Sequence, residues 1–288
     1  GRARYTMLCN DHGGVLDDLI VYRLGENEMF VIANASNTSV ILGKLTTAAA
    51  GTGVEVVDVT DERSLISLQG PLATTVLQGA LEHGATVPSR FRIASMLVAG
   101  ARCLVARTGY TGEDGVEISV SRPDAEVVWR RLLAGDGTHP TAPIGLAARD
   151  SLRLEAGLPL YGHELDEERT PFDAGFGRIV DIDHDFPGRD AILSREGAGR
   201  SRRLVGLVSE GKRSPREGFQ ILTTEGKEIG TVTSGGPSPT LGVPIAMAYV
   251  EPSATSLGTS VEIDIRSRPE RARVVALPFL TSVPRPTH

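Results

Sequence analysis

The amino-acid sequence predicts an α+β protein: two α+β units followed by a C-terminal antiparallel β-barrel or jelly-roll-like domain. Three observations carry this expectation. Short apolar runs bounded by Gly, Pro and Asn alternate with helix-period stretches through the first two thirds of the chain. A succession of strand, polar turn and helix occurs twice, at 29–50 and 116–134. From Arg203 onward the texture changes to six short alternating strands with turns every eight to twelve residues or so.

Taken in order, Tyr5 to Cys9 and Leu19 to Tyr22 read as strands of a hairpin turned at Gly13-Gly14, with a third strand at Met29 to Ala33 after Gly25-Glu26-Asn27. Asn34 and Asn37-Thr38 offer N-caps for a helix from Ser39 to Ala50, closed by Gly51. Strands follow at Val54–Val59 and Leu65–Leu68, then a helix from Gly70-Pro71 to Leu81 with Pro in its first turn. Arg92–Val98 and Arg102–Arg107 flank the Gly100 turn, and the Gly-rich loop 108–115 feeds a strand at Val116–Val120. Pro123 opens a helix through Leu133. Pro143–Ala156, stopped by Gly157 and Pro159, is the cleanest helix. It sets Arg149 and Arg153 on one face at i, i+4, with Leu146, Leu152 and Leu154 for packing. Leu158–Phe186 is irregular, and Phe172, Phe176 and Ile179 mark it as an ordered, packed loop. Glu196–Ser201 is the expected linker. The barrel strands are Leu204–Val208, Phe219–Leu222, Glu228–Thr233, Ile245–Val250, Ser260–Ile265 and Arg273–Leu277.

Composition narrows the function. At 288 residues the chain has room for about two domains, or three small ones. A net charge of −6 argues against a nucleic-acid scaffold. No apolar run approaches the ~18 residues of a membrane span. Cys9 and Cys103 fit no metal spacing and no disulfide framework, so a reducing cytoplasm is expected, with both thiols as small buried hydrophobes. Charge is uneven: residues 201–288 carry 11 Lys and Arg against 8 Asp and Glu, and residues 1–200 carry 19 against 28. Arg266, Arg268, Arg271 and Arg273 are then either a docking patch or a solvated barrel face.

The stretch Asn10–Tyr22 holds adjacent carboxylates at the mouth of a strand. Side chains alternate across a strand, so one of Asp17 and Asp18 faces inward; that one either ties down its own turn or handles a proton. Gly109, Gly112 and Gly115 do not form a dinucleotide fingerprint, and the six histidines show no metal-ligand spacing. No phosphate loop or nucleophilic triad is present.

Several motifs together resemble a known family. They are Tyr-Thr-Met-Leu-Cys-Asn and Gly-Gly-Val-Leu-Asp-Asp-Leu-Ile-Val-Tyr within 5–22, Ala-Asn-Ala-Ser-Asn at 33–37, and Arg-Thr-Gly-Tyr-Thr-Gly-Glu-Asp-Gly-Val-Glu-Ile at 107–118. Ala-Arg-Asp-Ser-Leu-Arg-Leu-Glu-Ala-Gly at 148–157, Pro-Leu-Tyr-Gly-His-Glu-Leu at 159–165, Thr-Ser-Gly-Gly-Pro-Ser-Pro-Thr-Leu-Gly at 233–242 and Leu-Pro-Phe at 277–279 continue the pattern. In this order they resemble the T-protein (aminomethyltransferase) family of the glycine cleavage system. Family members carry about a quarter more chain before the position of Gly1.

The resemblance implies a cloverleaf of three domains around a folate channel: 1–54 with 141–198 as the first, ferredoxin-like folate-binding domain, 55–140 as the second, and 201–288 as the barrel. It implies release of ammonia from an aminomethyl group carried on the lipoyl arm of the H-protein, with transfer of the one-carbon unit to the co-substrate tetrahydrofolate and without a metal. A carboxylate beside the reacting amines can hold or relay a proton and stabilise the cation left as ammonia departs; the family's spacing gives this role to Asp18. A second carboxylate, Glu117, suits the paired N–H donors on the pterin edge. Tyr5, on the partner strand, is a ring or hydroxyl contact. Asn34 either lines the channel or caps the helix after it. Tyr110 and Tyr161 are carried over to the folate pocket, and Arg149 offers a donor fork for a carboxylate or pterin oxygen. Arg153 is structural, pairing with Asp150 or Glu155. His163 is a loop hydrogen-bonder.

Three other readings compete. The non-catalytic folate-binding proteins of iron–sulfur assembly share the fold but carry a Cys-containing signature where this chain has Leu-Pro-Leu-Tyr-Gly-His-Glu. The folate domains of sarcosine- and dimethylglycine-oxidising enzymes carry a flavin domain. The third is an inactive fragment.

Overall fold

The computed structural model describes residues 1–199 and 202–282, which divide into two compact units: residues 1–6 with 19–145, and residues 7–18 with 146–199 and 202–282. The chain passes between them inside its first hairpin, whose base belongs to the first unit and whose tip belongs to the second.

In the first unit, β1 (Arg2–Cys9), β2 (Val15–Arg23) and β3 (Met29–Ile32) form a sheet in that order, with β1 and β2 running on into the second unit. Helix α1 (Thr38–Ala49) follows β3 after a single 3-10 turn. Asn37 holds the N-cap position without a side-chain capping bond. A second sheet has the antiparallel order β4–β7–β6–β5, from β4 (Arg63–Gln69), β5 (Ile93–Val98), β6 (Ala101–Ala106) and β7 (Gly115–Ser121). Strand alternation turns Val116, Ile118 and Val120 onto one face, where all three are fully buried. There they meet Val76 and Leu77 of α2 (Ala73–Gln78) and Val128 and Leu132 of α3 (Ala125–Leu133). The β5–β6 hairpin turns through Ala99 and Gly100, both with positive φ (51° and 79°), the signature of a two-residue turn matched to strand twist.

The second unit contains α4 (Leu146–Glu155), the irregular stretch that follows it, α5 (Arg189–Gly197), the barrel and the short terminal α6 (Phe279–Ser282). The barrel is closed, in the order β10–β11–β8–β13–β12–β9, from β8 (Arg203–Ser209), β9 (Gln220–Leu222), β10 (Glu228–Ser238), β11 (Val243–Val250), β12 (Ser260–Asp264) and β13 (Pro269–Val275). Closure, the barrel form of the two expected, leaves no strand edge unpaired. On β11, Ala246, Ala248 and Val250 fill the interior, while Ile245 and Met247 pack outside against Leu154 and Phe279. That double burial explains why β11 reads as a continuous apolar run.

Four sequence expectations need correction. Residues 54–59 form no strand: Val54 and Val57 are 64% and 62% exposed, and side chains take the local backbone donors instead, Thr52 from Val54 N–H and Asp58 from Thr60 N–H. The helix expected from Gly70 to Leu81 is regular only at 73–78, and Leu81 bridges to Val98 instead. The helix expected from Pro143 begins at Leu146, which is exposed rather than packed. Finally, α5 occupies 189–197, where no helix is expected, and takes in the first two residues of the expected linker; residues 200–201 of that linker lie outside the described residues.

Candidate functional site

In the first unit the chemistry gathers where β7 begins. The loop after β6 is closed by a fork: Arg107 Nε and Nη2 donate to Asp114 Oδ1 and Oδ2 at 3.0 and 2.6 Å. These bonds hold the Asp114 carboxyl below its ordinary range. The Gln69 side chain lies in the cradle so formed, donating from Nε2 to the carbonyls of Thr108 and Val116, each at 3.2 Å. Gly109 and Gly115 are glycine for this reason, since a Cβ on either would land on the Gln69 amide. Thr111 Oγ1 donates to Gln69 Oε1 at 3.2 Å.

This cradle presents Glu117, which is half-buried on β7 opposite Ser67 and Ala106. Its Oε2 accepts the Thr108 hydroxyl at 2.6 Å. Behind Thr108, the Tyr22 hydroxyl lies 3.1 Å from Oγ1. Burial and then the Glu117 charge push the Tyr22 phenol well above its ordinary value. In the sequence Tyr22 reads only as a strand residue and Thr108 only as a loop residue, and Gln69 falls between the expected strand and helix. The signal for Thr108 was its place inside the Arg-Thr-Gly-Tyr motif. Tyr5 on β1, Asn34 just after β3 and Tyr110 in the loop are all half-buried in this unit. The Asn34 carbonyl accepts from Asn37 N–H at 2.9 Å, which ties it to the turn before α1.

In the second unit the hairpin tip is stitched to the irregular loop. Val15 N–H is shared between the carbonyls of Asp166 (2.8 Å) and Arg169 (3.1 Å), and Asn10 Nδ2 donates to the Glu167 carbonyl at 2.9 Å. Val15, Leu165, Ala174, Met7, Tyr161 and Phe176 pack together beneath. Of the adjacent carboxylates, the inward one is Asp17, fully buried, while Asp18 is half-buried. Tyr161 stands close enough to feel them: burial first, then the charges of Glu167, Asp17 and Asp18, raise its hydroxyl. The structure thus brings Asp18 and Tyr161 into one neighbourhood.

Arg149 is exposed on α4, whereas Arg153, one turn on, is buried. Arg153 donates to Asp150 Oδ1 (2.7 Å), Glu164 Oε2 (3.1 Å) and Ser234 Oγ (2.8 Å). Glu155, the other expected partner, accepts instead from Thr240 N–H (2.9 Å) and Oγ1 (2.8 Å) and from the Ser238 hydroxyl (2.5 Å). His163 Nδ1 lies 2.9 Å from the carbonyl of Thr233, at the bulge in β10. Cys9 and Cys103 are buried and their thiols pushed up to about 11, a state that disfavours the reactive thiolate. Among the described residues no group of three or more His, Cys, Asp or Glu is placed to hold a metal ion.

Two family models match. Residues 1–184 match the GCVT N-terminal domain, and residues 202–280 match the glycine cleavage T-protein C-terminal barrel domain. An aminomethyltransferase of Saccharopolyspora erythraea is 48% identical over 281 residues, covering 97% of this chain and 77% of that protein. One from Streptomyces coelicolor is 49% identical over 285 residues, covering 97% and 76%. The crystal structure of the glycine cleavage system aminomethyltransferase T from Bartonella henselae superposes with a TM-score of 0.88 at 36% identity, covering 97% of this chain and 76% of that one.

Proposed function

The chain belongs to the glycine cleavage T-protein family, and from that membership we propose that it works as the system's aminomethyltransferase, with the residue roles set out below. The observation that carries the activity is identity of 48–49% to aminomethyltransferases over 97% of the chain. The matches do not favour the iron–sulfur assembly or sarcosine-type readings.

Ammonia is released from the aminomethyl group carried by the lipoylated H-protein, and the one-carbon unit passes to tetrahydrofolate as 5,10-methylenetetrahydrofolate. Tetrahydrofolate supplies the amines that accept the carbon. Glu117 fits one end of that molecule, because a half-buried carboxylate with Oε2 steadied by Thr108 can accept the paired N–H donors of a pterin edge. Asp18 holds or relays the proton at the reacting amines and offsets the positive charge that develops as ammonia leaves. Tyr161, close to both hairpin carboxylates, supports this placing of the chemistry at the hairpin tip. Tyr5, Asn34 and Tyr110 contact the folate, and Arg149 offers its guanidinium to a folate carboxylate or ring oxygen. The chemistry assigned here asks for no metal. We read 1–54 with 141–198 as one domain, 55–140 as a second and 201–288 as the third. No described helix is long and apolar enough to cross a membrane. A cytoplasmic location without nucleic-acid partners accords with the acidic composition.

The test is a coupled assay with aminomethylated H-protein and tetrahydrofolate, reading ammonia and 5,10-methylenetetrahydrofolate together. Both products are expected from the chain, and Asp18→Asn is expected to lower turnover by roughly 10²–10⁴-fold with folate binding retained. Wild-type chain that transfers no carbon overturns the activity; Asp18→Asn with normal turnover overturns the assignment of Asp18.

A further inference from the structure

Glu117 does not orient itself unaided. An ionised carboxylate only accepts hydrogen bonds, so the 2.6 Å contact to Thr108 takes that hydroxyl's one proton. The Tyr22 hydroxyl then has two acceptors in reach, Thr108 Oγ1 at 3.1 Å and the Glu117 carboxylate itself. The result is a small cluster in which the Tyr22 and Thr108 hydroxyls both converge on Glu117.

The backbone around the middle member is fixed as well. Gln69 holds the Thr108 carbonyl. Arg107, one residue earlier, donates its N–H to the Arg92 carbonyl at 2.9 Å and accepts from Phe91 N–H at 3.1 Å. Tyr22 is fully buried and packs with Ala3, Ile93 and Ala106, so its ring has nowhere to swing. A core tyrosine needs only some partner for its hydroxyl. This one directs its hydroxyl at Thr108, whose own proton goes to the carboxylate proposed to bind the pterin, and at that carboxylate itself.

We propose that Tyr22 and Thr108 are positioning residues for tetrahydrofolate: together they pin Glu117 Oε2, so that the carboxylate offers the N–H donors of the reduced pterin a preset edge. The proposal rests on the reading of Glu117 given above. Preset geometry matters because an acceptor that must be ordered at each binding event forfeits part of the affinity it supplies.

The test is steady-state kinetics with varied tetrahydrofolate on Thr108→Val, Thr108→Ser, Tyr22→Phe and Glu117→Gln, with thermal melting of each. Thr108→Val is expected to raise the KM for tetrahydrofolate about tenfold, since hydrogen bonds to charged groups are strong, with kcat within about twofold. Thr108→Ser restores KM, Tyr22→Phe raises it about two- to threefold, and Thr108→Val adds nothing in the Glu117→Gln background. If Glu117→Gln raises KM while Thr108→Val and Tyr22→Phe do not, the positioning role is overturned and the Glu117 reading stands. If Glu117→Gln leaves KM unchanged, the Glu117 reading falls and the proposal with it. A lowered melting temperature with no rescue of KM by serine assigns Thr108 a purely structural role and also overturns the proposal. Should Thr108→Val not fold, the serine and phenylalanine variants carry the same comparison.

Discussion

Arg153 donates from Nη1 to Oε2 of Glu164 at 3.1 Å, with the arginine side chain 2% exposed and the glutamate not exposed at all. Removing water from two charges is costly, and their attraction offsets that cost only when further hydrogen bonds complete both groups. Arg153 is completed by Asp150, Ser234 and the Leu158 carbonyl; Glu164 Oε2 also takes the Leu160 N–H, whereas its buried Oε1 has no hydrogen-bond partner among the described residues. Together these bonds tie α4 to the start of the irregular loop and to β10.

Breaking one side of this pair leaves the other charge buried and alone. Arg153→Leu is expected to cost about 3–5 kcal/mol in urea denaturation. Replacing both residues, Arg153→Leu with Glu164→Leu, is expected to cost less than the sum of the two single changes, because the double variant abandons no charge. Additive losses would show that the two side chains act separately.

Asp17 and Asp18 differ in burial, so their substitutions separate into different observables. Asp17→Ala is expected to lower stability by about 1–3 kcal/mol, the cost of disturbing a buried polar group, with kcat of the folded fraction little changed. Asp18→Ala is expected to leave the denaturation midpoint within about 0.5 kcal/mol of wild type and to remove most turnover. Denaturation and turnover measured on both variants check this. The reverse pattern would move the chemistry to Asp17.

Acidification reports on the loop that carries Thr108 and Tyr110. The bonds from Arg107 depress the Asp114 carboxyl, so the pair stabilises the fold above the unfolded carboxyl value of ~3.9. That contribution is lost as pH falls through the lower folded value. Asp114→Asn is therefore expected to be less stable than wild type near neutrality, with the gap closing below about pH 4. Denaturation midpoints for both proteins across this range measure it; a gap that stays constant with pH would mean that the carboxyl charge contributes nothing.

What was legible in the sequence follows from how local each signal is. Barrel strands such as β12 were readable because their side chains alternate about a closed interior, as Val261 and Ile263 do. The hairpin at Ala99-Gly100 was readable from its turn. Residues 54–59 were not, because alternation proposes a strand and only a partner strand confirms it, and pairing is a property of distant residues. Helix α5 buries only Ile192 and has Gly188, in the left-handed region, as its N-cap, so it has neither an apolar stripe nor a polar cap to announce it. Arg149 and Arg153 looked equivalent at i, i+4 until Glu164 and Ser234 separated them. The contact between Tyr22 and Thr108 joins residues 86 apart, beyond the reach of any periodicity.

The same substitution at two glycines is expected to have opposite signs. Gly14 closes the hairpin tip, donating its N–H to Asn10 Oδ1 at 2.9 Å and accepting from Asn10 N–H at 2.8 Å. A Cβ there would land on the backbone of Glu167, in the segment stitched to this tip, so neither side can yield cheaply. Gly14→Ala is expected to cost about 3 kcal/mol or more and to lower activity with it, because the strand it would displace carries Asp18. Gly43 lies inside α1 with nothing within 4 Å of a built Cβ. Alanine there narrows the unfolded ensemble and suits the helix, for an expected gain of about 0.5–1 kcal/mol. Melting and turnover measured on both variants decide the matter: a tolerated Gly14→Ala would mean that the tip and the 166–169 segment are not held together as tightly as their hydrogen bonds require.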